Sequence, residues 1–103
     1  MFGGISLKKV GDLMNSNYEN AMIILKAMVE RSRVNTSNGD VIRRITNLEY
    51  DEINNAIPCL EEMNLVKTVG DISKVKFDFF NVTILPEGYE YYHNNFRKIK
   101  SID

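Results

Sequence analysis

The spacing of apolar residues changes at Asn64 from a helical to an alternating period, returning to helical only after Pro86, and that change limits the folds open to the chain. Before Asn64 the apolar residues recur every three or four positions, the period of an α-helix. In the stretch Tyr18–Arg31, Met22, Leu25, Met28 and Val29 share one face, widened by Ala21 and Ile24, with no Gly or Pro. Ser16 and Glu19 have capping-box spacing at its start, and Arg31 suits the negative end of the helix dipole. Asn35-Thr36-Ser37-Asn38-Gly39 is a break. A short second helix is expected over about 38–46, with Ser37 and Asp40 as its capping pair, Val41, Ile42 and Ile45 inward, and Arg43 and Arg44 outward. Thr46-Asn47-Leu48 is a turn. A third helix is expected over about Tyr50–Met63, with Ile53, Ile57 and Leu60 in phase and Ala56 and Met63 beside them. Pro58 lies inside it and predicts a kink near Asn54. Asn64 is a residue that tolerates the left-handed backbone of a helix end.

After Asn64 the period becomes two. Leu65–Val69 reads as a strand and Gly70-Asp71 as a turn. Val75, Phe77 and Phe79 alternate, and Val82 and Ile84 resume the alternation after a slip at Phe80-Asn81, the mark of a β-ribbon with a bulge. Pro86 then opens a last helix, with Tyr89, Tyr92, Phe96 and Ile99 along one face. The first 17 residues contain Gly3, Gly4 and Gly11, and read either as a loose tail or as a short helix through Leu7, Val10 and Leu13 or Met14. The expected organisation is a tail over 1–17, one domain over 18–96 and a second tail over 97–103.

At 103 residues, 44% of them hydrophobic and 26% charged, the chain has material for one modest core. Its net charge of −1 makes no demand for a nucleic-acid or membrane partner. Cys59 is the only cysteine, so no internal disulfide or paired-cysteine metal motif is expected, and a cytoplasmic compartment fits. No stretch reads as a signal peptide or membrane span. His93 is the only histidine and falls in a polar helix; Cys59 has no evident base beside it; no glycine-rich phosphate loop is present. The residues therefore point away from an enzyme and call for no cofactor.

The order helix, short helix, turn, helix, ribbon, helix resembles the winged helix-turn-helix family of prokaryotic transcription regulators. The resemblance rests on Asp40-Val41-Ile42-Arg43-Arg44-Ile45 as the second helix and on Leu48 as the apolar pin of the turn. It rests also on Ile53 to Val66 as the passage from recognition helix to wing, and on Ile84-Leu85-Pro86-Glu87-Gly88-Tyr89 as the entry to the closing helix. With the first and last helices, the resemblance covers about 18–96. The chain departs from the family pattern at Asn64, where Gly is usual, and at Leu85, where a capping Thr or Ser is usual. It departs also at Pro58 and in the length of the wing, about 66–85. The resemblance implies an α+β fold, mainly helical, with a three-helix core, a wing and a C-terminal helix.

It also implies binding to double-stranded DNA as a homodimeric, sequence-specific transcriptional regulator. The third helix would enter the major groove with Tyr50, Asp51, Asn54 and Asn55 facing the bases, the two asparagines being suited to adenine. Arg43, Arg44, Lys67, Lys74 and Lys76 would hold phosphates. A dimer is expected because one short helix reads only a half-site, and Tyr89, Tyr92, Phe96 and Ile99 are its candidate interface, packing of that face on the first helix being the alternative. Charge opposes the DNA reading. Between Glu49 and Val66 stand Glu49, Asp51, Glu52, Glu61 and Glu62 with no Lys or Arg, a local charge of −5 that leaves +4 for the rest. An acidic probe helix weakens a phosphate-dominated contact. The other reading is therefore a protein–protein interaction module whose acidic third helix meets a basic partner, without DNA.

Overall fold

A computed structural model of the chain describes residues 2–32, 34–70 and 76–97, and side chains within 16–32, 34–70 and 76–96. The order of elements is α1 (Phe2–Arg31), β1 (Thr36–Ser37), α2 (Gly39–Thr46), α3 (Tyr50–Glu62), β2 (Val66–Gly70), β3 (Phe79–Ile84) and α4 (Pro86–Tyr92), followed by a π-helical turn, His93–Arg97. The fold is α+β, mainly helical with a small antiparallel sheet in the order β1-β3-β2.

Two helix starts differ from the sequence expectation. α1 begins at Phe2, so Ser16 lies inside it and caps nothing. The helix also runs unbroken across residue 17, where the sequence suggested the end of a tail or separate short helix. α2 is capped by Asn38 and not by Ser37: Asn38 Oδ1 accepts the Val41 N–H at 2.9 Å, satisfying one donor the helix start leaves open. Ser37 is instead buried in β1. β1 falls within the expected break at 35–39, because two residues of strand carry no alternation; its partners on β3, Thr83 and Val82, supply it.

The turn between α2 and α3 is built by local polar chemistry. Asn47 takes φ 65°, and its N–H donates to the Arg43 carbonyl at 2.7 Å. The Thr46 hydroxyl donates back to the Ile42 carbonyl at 2.6 Å and accepts the Leu48 N–H at 3.2 Å. α3 ends as the sequence suggested, on Asn64 at φ 62°. The Leu65 N–H reaches the Leu60 carbonyl and the Asn64 N–H the Glu61 carbonyl, both at 3.0 Å, the paired bonds of a Schellman ending. Pro58 is exposed and α3 is assigned as one helix through it.

One core joins the layers. Ala21, Ile24, Leu25 and Met28 of α1, Ile42 of α2 and Ile53, Ala56, Ile57 and Leu60 of α3 pack with Val66, Phe79, Val82 and Ile84 of the sheet. Each fully buried Ile or Leu contributes about 1.5–3 kcal/mol. The sheet buries one face and leaves Lys67 and Val69 on the other exposed. The expected slip is a bulge: Val69 pairs with Asn81 and Gly70 with Phe79, so Phe80 has no partner on β2.

α4 lies close to the start of β2 and the end of β3. A Cβ on Gly88 would stand 2.4 Å from the Leu65 carbonyl oxygen and 2.7 Å from Ile84 Cγ2. Gly88→Ala should therefore lower stability by about 1–3 kcal/mol, moving the thermal midpoint down by roughly 4–8 °C per kcal/mol. Gly70→Ala, where a Cβ meets nothing within 4 Å, should change it little; equal midpoints for the two variants in circular-dichroism melts would contradict this packing.

α4 is also tied to α1 by a 2.8 Å hydrogen bond between the Tyr18 and Tyr91 hydroxyls. That bond, burial and the neighbouring Tyr18 charge push the Tyr91 pKa up from 10.0 to about 12. The folded chain thus holds this proton more tightly than the unfolded one. The stabilisation is full below pH 10.0 and is lost as pH rises toward about 12. In an ultraviolet titration of tyrosinate, Tyr18→Phe should bring the last tyrosine to ionise down toward its ordinary range, with an unchanged profile counting against the pair.

Candidate nucleic-acid interface

α2 and α3 meet at a short turn, and the last residues before β3 fold back over that junction. Phe77 makes this possible. It is buried, and its ring occupies the space a side chain at position 39 would need: a Cβ on Gly39 would lie 2.3 Å from the ring. The same ring meets Tyr50 edge-on at 5.2 Å and Phe79 at 5.5 Å.

This packing carries Lys76 to the start of α3. The Tyr50 ring has the Arg43 guanidinium over it at 4.6 Å and the Lys76 amine at 5.7 Å, both within cation–π range. Arg43 also meets Glu49 Oε1 at 3.4 Å through Nη2, an exposed pair worth about 0–1 kcal/mol. Its Nε is buried without a hydrogen-bond partner among the described residues. Two cations from distant parts of the sequence thus converge on one aromatic ring.

Asn54 departs from its expected role. Its Nδ2 donates to the Lys76 carbonyl at 2.8 Å, and its Oδ1 accepts the Asp78 N–H at 3.0 Å. Both ends of the amide are engaged by backbone, so Asn54 braces the ribbon against α3 instead of presenting its amide outward. Asn55, one position on, is exposed. Arg44 and Lys67 are exposed too, Lys67 on the solvent face of β2, and neither makes an ion pair or ring contact with the Tyr50 cluster among the described residues. Lys74 lies outside the described residues.

The acids of α3 and its flanks separate into two groups. Glu49 pairs with Arg43, Glu52 Oε1 accepts the Glu49 N–H at 2.9 Å, and Glu61 Oε2 accepts the Thr68 hydroxyl at 2.7 Å. Three of the five are therefore engaged by capping, pairing or bracing. Asp51 and Glu62 are exposed and have no such partner among the described residues.

The face suggested for dimerisation is largely turned inward. Tyr92 is 6% exposed, its hydroxyl donating to Glu30 Oε2 of α1 at 2.6 Å and its ring lying 5.4 Å from Phe96. Tyr89 and Phe96 are half-buried against the core, and Ile99 lies outside the described residues. Packing on the first helix, the alternative the sequence left open, accounts for Tyr92. Elsewhere, a groove of about 290 Å³ between α1 and α2 is lined by Ile23, Lys26, Ala27, Glu30, Arg31, Ile45 and Thr46. A cavity of about 60 Å³ between α3 and the ribbon includes Asn54, Glu61 and Asp78. Among the described residues no three His, Cys, Asp or Glu side chains are grouped to hold a metal ion, and no helix is long and apolar enough to cross a membrane. No protein-family model, curated protein or solved structure matches the chain.

Phe77 and Asp78 were missed as contributors to this region. Alternation marks Phe77 as buried but does not reveal that it packs on Gly39, 38 positions earlier. The Asn54 brace can be read directly by experiment. Asn54→Ala should cost roughly 1–2 kcal/mol, the range for two partly solvated hydrogen bonds, and should expose the Asp78 amide to hydrogen exchange. Asn54→Asp, which keeps the acceptor, should retain much of that protection; equal exchange in both variants would rule the brace out.

Proposed function

We propose that the chain is a winged helix-turn-helix protein that binds double-stranded DNA, a sequence-specific transcriptional regulator acting as a homodimer in the cytoplasm. In this reading α2, the Asn47 turn and α3 form the helix-turn-helix, β2 and β3 the wing, and α4 the closing helix. The observation that carries it is the convergence of Arg43 and Lys76 on Tyr50 at the N-terminal end of α3. In this reading a cation from α2 and one from the segment leading into β3 stand at the end of the helix that would meet DNA. Arg43, Arg44, Lys67, Lys74 and Lys76 hold phosphates, and Asn55 and Tyr50 face the bases. Asn54 serves the site by fixing the wing against α3.

The engagement of Glu49, Glu52 and Glu61 within the fold supports the reading, since a carboxylate held by an ion pair, a cap or a hydroxyl is turned toward that partner. Asp51 and Glu62, exposed and unpaired, favour the second reading, in which α3 meets a basic protein partner. A salt series on a pool of random duplexes separates the two. Phosphate contacts give a slope of about −0.9 in log affinity against log salt per phosphate neutralised. Lys76→Ala should flatten the slope by roughly 0.9. Absence of binding at low salt would end the DNA reading, and binding lost on Asp51→Lys to a basic protein, with DNA ignored, would establish the other.

A further inference from the structure

We infer that Phe80 is an apolar wedge that enters a base step of duplex DNA and unstacks it. The inference rests on the DNA reading above and adds to it a positioning residue no phosphate contact would require. The bulge is its origin. Phe79 and Val82 on either side stay buried, while Phe80, the extra residue opposite no partner, is 58% exposed. Val69, whose partner Asn81 is next to Phe80 in sequence, is 55% exposed. Gly70, paired with Phe79, leaves open space where a side chain would stand. The bulge thus leaves a large aromatic ring exposed at a position that two regular strands would have kept paired.

Three further observations favour a base step over another occupant. The remaining outer face of the sheet is polar, with Lys67, Asn81, Thr83 and Thr36 along it. A stable protein interface needs about 800 Å² from each partner, and two apolar side chains on a polar sheet fall short of that. Lys67 of β2 and Lys76, four residues ahead of Phe80, are both exposed, and basic residues on either strand's side of the bulge suit a phosphate-lined groove. Finally, a wedge must be mounted rigidly to unstack bases and not simply fold away. The Asn54 brace to Lys76 and Asp78 fixes the chain two residues ahead of Phe80. Aromatic and aliphatic wedges of this kind unstack a step and bend the duplex.

The test uses the full chain and a duplex selected by it from a random pool at low salt, with 2-aminopurine placed in turn at successive steps and dyes at both ends. The unaltered chain should raise 2-aminopurine emission at one step and shorten the end-to-end distance. Phe80→Ala should abolish both signals and weaken binding roughly 5- to 150-fold, the range for loss of one stacked aromatic. Phe80→Leu should keep part of the bend. Phe80→Lys should bind without raising emission, since a cation can hold phosphate but cannot replace the ring. Circular dichroism should be the same for all four chains, Phe80 lying outside the core. If duplexes bind but Phe80→Ala leaves affinity, emission and bend unchanged, the wedge is refuted and the DNA reading stands. If no duplex binds, both fall. If Phe80→Ala instead dissolves an assembly seen by sedimentation and leaves DNA affinity intact, the residue serves a second copy and the wedge is refuted.

Discussion

Phe77 occupies the space where residue 39 would carry its first side-chain atom. Any residue other than glycine there would force the ring away from α2. With the ring in place, Tyr50 has an edge-on neighbour, Lys76 comes within reach of the Tyr50 face, and the backbone of residues 76–78 lies along α3. The position of the β2–β3 ribbon relative to the α2–α3 turn follows from that one contact between a missing Cβ and an aromatic ring. Asn54 then fixes by hydrogen bonding what Phe77 sets by volume.

This coupling alters how the charge of α3 bears on function. Counted along the chain, five acids argue against a nucleic-acid partner. Placed in the fold, one pairs with Arg43, one caps the helix start and one holds a β2 hydroxyl, while two cations are brought to the same end of the helix. The Arg43–Glu49 pair offsets one of these charges at a distance, whereas the neutral donors on Glu52 and Glu61 fix where those carboxylates stand and leave their charge in place. The proposed DNA role depends on this redistribution, and the exposed Asp51 and Glu62 are what keep a protein partner in view.

Four asparagines serve three purposes. Asn38 caps a helix through its side chain, Asn47 and Asn64 accept left-handed backbone, and Asn54 braces two elements. Composition does not distinguish these roles. Local sequence does for the two left-handed turns, which follow helical runs, and less well for Asn38, where Ser37 competes for the cap. Nothing local points to Asn54 as a brace, because its partners are 22 and 24 positions away.

What the sequence determined by itself was most of the elements: helical period before Asn64, alternation after it, the slip that becomes the Phe80 bulge, and the proline that starts α4. These are legible because each depends on neighbours within a turn or two, where backbone sterics and apolar spacing act. The helical run of α1 back to Phe2 was not legible, since three glycines disfavour helix in that segment. Nor was β1, whose two residues are strand only because β3 lies beside them. Tertiary structure alone decided which side chains remain available: Asn54 taken by backbone, Tyr92 covered by α1, Phe80 left exposed, Arg43 and Lys76 joined on Tyr50. Those outcomes depend on contacts between residues far apart in the chain, and spacing within any one segment carries no information about them.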